Sequence, residues 1–192
     1  APNTITAANT YLQLGSDDYG PNNDGKFMIG FGYTDATNTN SPAYIGFEET
    51  STSGDTKGDL TFYTRDVITD TAPTERMRID STGKVGIGTY APLALLDVRG
   101  AIYPHIALSS AHGYSENRNW RLMTNNFGTG NWGGFSIDQT TSQGGSTFAQ
   151  KFGIDKNGNV GIGGDISPLA KLHVSSGTSN VPAVFESTDA FS

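Results

Sequence analysis

The chain has 192 residues, a formal net charge of −7 and no cysteine, which excludes disulfides and cysteine-based metal sites. The acidic balance argues against nucleic-acid binding, because phosphate contacts need a basic stripe. No apolar run approaches the roughly 20 residues of a membrane span. Only 16% of the residues are charged, and Gly, Ser, Thr and Asn are abundant, which is typical of an extracellular β structure.

Short apolar segments separated by polar turns predict β-strands along the first half of the chain. The segments are Tyr11–Leu14, Lys26–Tyr33, Tyr44–Phe47 and Leu60–Thr64. No segment has a convincing helical period over about 11 residues. The chain is therefore predicted to be all-β.

One motif occurs twice in the chain. Residues 78–88 read Arg-Ile-Asp-Ser-Thr-Gly-Lys-Val-Gly-Ile-Gly, and residues 153–163 read Gly-Ile-Asp-Lys-Asn-Gly-Asn-Val-Gly-Ile-Gly. A proline and then a Leu-x-Val ending follow each copy. The two copies begin 75 residues apart, so the chain is predicted to be a tandem of one structural unit.

The same spacing relates other apolar positions. Leu60–Phe62 corresponds to Phe135–Ile137, 75 residues on, and Tyr44 is aligned with Trp120. Val181–Phe185 is expected to begin a third unit. Units of about 75 residues are marginal when they stand alone, so stability is expected from stacking along the chain or from other subunits.

The two copies of the motif are each predicted to contain a strand with one bulky and one bare face, because successive side chains point to opposite faces. The predicted stem residues are Val85, Gly86, Ile87, Gly88, Val160, Gly161, Ile162 and Gly163. A glycine face allows close approach of another backbone, which suits a crowded interface between chains. The Asp-x-x-Gly before each strand predicts a tight turn.

Residues 76–98, which read Arg-Met-Arg-Ile-Asp-x-x-Gly-Lys-Val-Gly-Ile-Gly-Thr and then Pro and Leu-Asp-Val, carry a family resemblance. They resemble the repeat of bacteriophage tail fibres and of similar trimeric adhesive fibres on bacterial surfaces, including those of predatory bacteria. The resemblance implies a parallel homotrimer of tandem small β-sandwich-like heads joined by intertwined β-rich stem segments. It also implies an extracellular fibre that recognises a polysaccharide or protein on a target cell, with no cofactor.

On this basis the chain is divided into five parts. The expected parts are a first head (1–75), a stem (76–103), a second head (104–150), a second stem (151–176) and the start of a further unit (177–192).

Aromatic and amide side chains concentrate in the second head. Sugar recognition needs flat apolar faces for ring C–H groups and planar polar groups for hydroxyls. The candidate glycan-binding residues are Trp132, Asn131, Asn126, Arg118, Tyr114 and Trp120. Trp132 follows a glycine-rich stretch and is the strongest candidate, with packing under a neighbouring subunit as the alternative. The alignment of Trp120 with Tyr44 favours a place in the core.

Two other functions remain open: a fibre-borne polysaccharide depolymerase with a site between subunits, and a secreted monomeric β-sandwich lectin. Hydrolysis needs two carboxylates about 5–9 Å apart across a cleft. The nearest acidic cluster comprises Glu48, Glu49, Asp59 and Asp66. Its counterparts in the second unit are not acidic, so no enzymatic activity is expected. The monomeric lectin would tolerate Gly86→Val, whereas the trimer is expected not to assemble with it.

No metal site is expected. Asp155–Asn159 lacks the bidentate Glu of a calcium loop and is predicted to be a turn. Asp17–Asp24 is predicted to be a solvated loop. His105, His112 and His173 lack the spacing of a metal site or a catalytic triad.

Overall fold

The computed structural model describes residues 25–32, 37–51, 53, 56–100, 104–109, 118–124, 133–142, 145–163 and 168–175. All regular secondary structure in these ranges is β-strand, which confirms the predicted all-β class. The chain divides into two compact units, Ala1–Arg99 and Gly100–Ser192, and each holds one six-stranded sheet. Within the described ranges there is no helix long and apolar enough to span a membrane.

The first sheet is a meander whose strands lie in chain order. Its strands are β1 (Lys26–Phe31), β2 (Ala43–Ser51), β3 (Lys57–Thr64), β4 (Thr74–Ile79), β5 (Val85–Ile87) and β6 (Leu96–Val98). Neighbouring strands pair antiparallel from β1 to β5, and β6 pairs parallel with β5. Residues 88–95 return the chain to the start of this parallel pair.

The second sheet repeats this order and these strand directions. Its strands are β7 (His105–Leu108), β8 (Trp120–Thr124), β9 (Phe135–Thr140), β10 (Phe148–Ile154), β11 (Val160–Ile162) and β12 (Leu172–Val174). The two units are therefore two copies of one topology. In the part of the chain that the structure describes, each unit has one six-stranded sheet.

The expected boundaries between heads and stems fall inside strands. The boundary at 75/76 lies within β4, and the boundary at 150/151 lies within β10. Each stretch assigned to a stem thus continues the sheet of the preceding head, because β5 pairs with β4 and β11 pairs with β10. Each sheet spans the predicted head and its stem.

One side of each sheet carries apolar residues in cross-strand register, and we call it the apolar face. In the first sheet it has two rows: Phe27, Phe47, Leu60, Ile79, Val85 and Leu96, and then Ile29, Ile45, Phe62, Met77, Ile87 and Val98. In the second sheet these rows recur as Phe135, Ile154, Val160 and Leu172, and as Ile106, Leu122, Ile137, Phe152, Ile162 and Val174. Residues in register point to the same side of a sheet.

The apolar face remains partly exposed. Ile45 is 36% exposed, Ile87 41% and Leu96 55%. Among the described residues, the buried side chains are mainly polar, and apart from prolines the one buried large apolar side chain is that of Met123. A sheet normally buries its apolar side against a second layer. Here the usual arrangement of an apolar interior and a polar surface is reversed.

The strand register corrects one part of the predicted alignment. It confirms that Leu60–Phe62 corresponds to Phe135–Ile137, since each segment pairs with the equivalent strand of its own sheet. Ile45 pairs with Phe62, however, whereas Leu122 pairs with Ile137. Leu122 is thus the counterpart of Ile45, and the alignment of Tyr44 with Trp120 is wrong by one residue.

The predicted Asp-x-x-Gly turns connect β4 to β5 and β10 to β11. In the first turn the Gly83 N–H donates to the Asp80 carbonyl at 2.8 Å, and Gly83 has φ +87°. Oδ1 of Asp80 accepts the N–H groups of Thr82 and Lys84 at 2.8 and 2.9 Å. This is the pattern of a type I turn closed by a glycine in the left-handed region.

Hydrogen bonds from Thr82 and the Lys84 backbone lower the pKa of Asp80. The backbone N–H of Asn159 lowers the pKa of Asp155 in the second turn, which has the same bonds. Both carboxylates therefore act as ionised acceptors that fix the turn.

Gly88 and Gly83 offer a matched test of crowding within one chain. Both have positive φ, but an added Cβ would collide with the Arg99 carbonyl at Gly88 and would contact nothing at Gly83. Gly83→Ala is expected to lower the free energy of unfolding by about 1–2 kcal/mol. Gly88→Ala is expected to lower it by about 1–3 kcal/mol more.

Urea unfolding at one fixed protein concentration measures both variants, because any assembly shifts apparent stability. Equal losses for Gly83→Ala and Gly88→Ala would contradict the close contact at Gly88.

Candidate functional site

Most of the predicted glycan-binding residues lie outside the described residues, namely Tyr114, Asn126, Asn131 and Trp132. Arg118, which is half-buried, precedes β8, and Trp120 begins that strand. Trp120 pairs with Leu108 and Gln139 and lies two residues before Leu122 on the same strand, so it is on the same side of the sheet as the apolar face, and it is 38% exposed. Within the single chain Trp120 is therefore not buried in a core.

The bare glycine side of the predicted stem is covered by the same chain. A Cβ on Gly86 would lie 2.6 Å from the Thr89 carbonyl oxygen and 3.5 Å from Cβ of Pro92. Gly86 is thus required by the loop that follows β5. The exposed side is the bulky one, with Ile87 and its counterpart Ile162 exposed to 41% and 39%. The surface available to another chain is the apolar face, not the glycine side.

The described parts of the loops after β5 and β11 share a buried proline and a hydrogen bond from the next residue. Pro92 and Pro168 are buried. The Leu93 N–H donates to Oδ2 of Asp97 at 3.0 Å and lowers the pKa of Asp97. In the second unit the Leu169 N–H donates to Nδ1 of His173 at 3.5 Å. Each loop presents a highly exposed leucine, Leu93 or Leu169, to solvent.

The opposite side of the first sheet carries an ion cluster around Arg78. Its guanidinium pairs with the buried Asp59, with Glu75 at 2.5 Å and with Glu48 at 3.5 Å. The hydrogen bond to Glu75 is the main reason that the pKa of Arg78 rises above its ordinary value. Lys26 adds a second cation, 2.9 Å from Glu48. The cluster ties together strands β1 to β4.

This arrangement gives no support to Glu48 as the catalytic acid of a depolymerase. Burial raises the pKa of Glu48, but hydrogen bonds from Lys26 and Tyr63 and the nearby cations outweigh burial and lower it. A catalytic acid needs the opposite shift, towards a raised pKa. Glu49 is buried away from this cluster against Thr56, and Asp66 is an exposed partner of Arg76. The four predicted carboxylates do not form one site.

The structure describes some of the remaining polar loops and histidines considered from the sequence, and others lie outside the described residues. Asp155 has the predicted turn geometry, whereas Asp17–Asp24 and His112 lie outside the described residues. His105 is an exposed residue of β7. In the described part of the chain, no three His, Asp or Glu side chains gather closely enough to hold a metal ion.

Sequence reasoning missed the Arg78 cluster and the continuity of the apolar face. The signal for the cluster was the alternation of charged with apolar residues, as in Asp59-Leu60 and Arg78-Ile79. Strand register was needed to show that these charges meet. Comparison with known proteins adds no further constraint, because no family model matches the chain and no curated protein gives a significant match.

Arg78 and Arg76 on the same strand provide a second matched prediction. Arg78→Met leaves the Asp59, Glu75 and Glu48 carboxylates without their cation and is expected to lower the free energy of unfolding by about 3–5 kcal/mol at pH 7. Arg76→Met removes an exposed pair with Asp66 and is expected to lower it by at most about 1 kcal/mol.

The loss of stability caused by Arg78→Met should shrink as the pH falls below the ordinary pKa of a glutamate carboxyl, about 4.3. The lowered pKa of Glu48 means that its contribution in the wild type is present above its unfolded pKa and is lost on acidification. Chemical denaturation between pH 3.5 and 7 measures this. A deficit that does not change with pH would contradict the proposed role of the cluster.

Proposed function

We propose that the chain is a structural and adhesive segment of an extracellular homotrimeric fibre, of the kind carried on virion tails or bacterial surfaces. The single observation that supports this proposal best is the partly exposed apolar face, repeated in both units. The resemblance of residues 76–98 to fibre repeats supports it independently. The proposed partners are two further copies of the chain and a glycan or protein on a target cell.

The shape of the apolar face favours several narrow contacts along a line. The face crosses six strands, so it is about 24 Å long at the usual strand spacing of about 4.8 Å. Its two rows lie about 7 Å apart, because a strand rises about 3.3 Å per residue. A long stripe two residues wide suits three sheets that meet along a common axis. A flat two-sheet sandwich normally buries a broader area.

The repetition of the face favours copies of the same chain as the partner. Both sheets present the same row at equivalent positions, from Ile29 to Val98 and from Ile106 to Val174. A partner must therefore offer a matching apolar surface twice, once for each unit. Parallel copies of the chain do this automatically, since symmetry places equivalent units side by side.

A monomeric lectin is less consistent with the exposed apolar face, because soluble monomers rarely expose continuous apolar patches of this size. Gly86→Val does not separate the two hypotheses. The added side chain would collide with Thr89 of the same chain in either case, so loss of folding is expected from both.

The trimer is tested by placing charges on the apolar face. Wild-type chain is expected to have three times the 20.3 kDa chain mass by light scattering. The double variant Ile87→Lys/Ile162→Lys is expected to reduce assembly at least tenfold, because it would place six ammonium groups in an apolar interface.

Ile68→Lys is the matched control, because Ile68 is fully exposed in the loop before β4 and lies off the apolar face. It should leave the trimer mass unchanged. A monomeric wild type, or a double variant that still forms trimers, would refute the proposed assembly.

The adhesive role is tested at Trp132, the strongest of the predicted glycan contacts. Trp132→Ala is expected to weaken binding of the fibre to target bacteria or to a glycan array about tenfold, because stacking area is lost. Trimer mass serves as the control for folding. Unchanged binding by a trimeric Trp132→Ala variant would remove Trp132 from the proposed site.

A further inference from the structure

A cleft of about 190 Å³ lies on the first sheet between strands and loops. Lys26 and Met28 of β1, Tyr44 of β2 and Tyr63 of β3 line its strand side, and Asn40, Ala72 and Pro73 line its loop side. Tyr44 and Tyr63 pair directly across their strands, one position from the apolar pair Ile45 and Phe62. The cleft therefore opens on the side opposite the apolar face.

Glycines on the strand side of the cleft leave room for the long side chains of Tyr44 and Met28 to lie against the sheet. A Cβ on Gly30 would approach Cε1 of Tyr44 to 3.2 Å, and a Cβ on Gly46 would collide with Sδ of Met28. The Tyr44 hydroxyl accepts the Ser41 N–H at 2.8 Å, which fixes its ring. The Tyr63 hydroxyl donates to Oε2 of Glu48 at 2.9 Å.

The loop side is held by one carboxylate. Asp70 accepts the N–H groups of Thr39 and Asn40 at 2.8 and 3.0 Å, and its pKa is lowered by the Thr39 hydrogen bond. Arg65 pairs with the same carboxylate at 3.2 Å. The loops before β2 and before β4 are thereby joined at the base of the cleft, so the cleft is formed before any ligand arrives.

The composition of the cleft matches a small amphipathic ring. Two tyrosines and Met28 offer apolar contacts, while the Lys26–Glu48 pair at 2.9 Å offers both hydrogen-bond donors and acceptors at the rim. The volume is below the roughly 300–1,000 Å³ of pockets for drug-sized ligands, so it suits one ring. A pyranose presents C–H groups on its face and hydroxyls on its edge, and it satisfies both parts of the cleft.

The charge of the rim indicates a neutral sugar. Lys26 is the cation that lines the cleft, and Glu48, which lies beside it, compensates its charge. The hydrogen bond to Glu48 raises the pKa of Lys26, and both groups are therefore ionised at neutral pH. An acidic sugar would have to approach the carboxylates of Glu48 and Glu75 without an unpaired cation to offset the repulsion.

The second unit replaces the tyrosine pair with an ion pair. Arg121 and Asp138 occupy the cross-strand positions equivalent to Tyr44 and Tyr63, and they pair at 2.9 Å. The Arg121 guanidinium lies 4.2 Å from the centre of the Phe148 ring. Each of the two sheets thus has an apolar face of the same kind. On the opposite side they differ, because the first has Tyr44 and Tyr63 where the second has Arg121 and Asp138.

We propose that the cleft of the first unit binds one neutral pyranose, the terminal sugar of a surface glycan. The sugar contacts Tyr44 and Tyr63 through its C–H face and the Lys26–Glu48 pair through its hydroxyls. The proposal rests on the fibre function for the source of the sugar. The cleft is distinct from the predicted patch around Trp132, and it stays open in a trimer that buries the apolar face.

Saturation-transfer difference NMR on the full chain tests the cleft directly. The probes are the methyl glycosides of glucose, galactose, mannose and N-acetylglucosamine, and methyl glucuronide as the acidic probe. At least one neutral glycoside is expected to receive saturation at its ring protons. Ala72→Phe, which fills the cleft from an exposed loop, is expected to weaken that binding at least tenfold.

Ala170→Phe is the matched control, because Ala170 is an exposed loop residue of the second unit. It should leave the signal unchanged. Tyr44→Phe should retain most of the signal, since the ring remains. The cleft assignment is overturned if no glycoside receives saturation, if methyl glucuronide alone does, or if Ala72→Phe leaves the signal intact.

The same preparations separate this proposal from the fibre proposal. Light scattering and binding to target bacteria are measured beside the NMR signal. A trimer that binds bacteria but transfers no saturation refutes the cleft and leaves the fibre standing. A monomer that transfers saturation to a neutral glycoside, and loses the transfer with Ala72→Phe, refutes the trimer and leaves the cleft standing.

Discussion

The partly exposed apolar face is the constraint on which the rest of the structure depends. In the first sheet it holds twelve residues in register, and full burial of one such side chain contributes about 1.5–3 kcal/mol. Leaving about a third of that burial unused forgoes an energy comparable with the stability of a whole domain, about 5–15 kcal/mol. A partner that covers the face would therefore decide whether a unit is stable, and this would couple folding to assembly.

The repeated motif serves this constraint from within each chain. The Asp80 turn sets the register of β5 against β4, and register decides which side of the sheet carries Val85 and Ile87. Gly86 lets the chain's own loop close over the other side, which buries Pro92. The motif thus assigns one side of the sheet to its own loop and leaves the other side partly exposed. Its glycines are explained without any second chain.

The fold was largely predictable from the sequence because strand alternation and the 75-residue spacing are local signals. The alignment of Tyr44 with Trp120 failed because the spacing between equivalent residues is not constant. It is 77 residues from Ile45 to Leu122 but 75 from Phe62 to Ile137. An alignment error of one residue in a strand assigns a side chain to the opposite face. The Arg78 cluster could not be predicted in the same way. Its members come from four different strands, and only their register brings them together.

The two units differ on the side that a trimer would leave exposed. Equivalent positions of the apolar face remain apolar, as at Ile45 and Leu122. One position away, Tyr44 is replaced by Arg121 without loss of the sheet. The polar side thus accepts different pairs at equivalent positions, two tyrosines in the first unit and an ion pair in the second. Recognition in such a fibre is expected on this side, where one repeat has a tyrosine-lined cleft and the other has an ion pair.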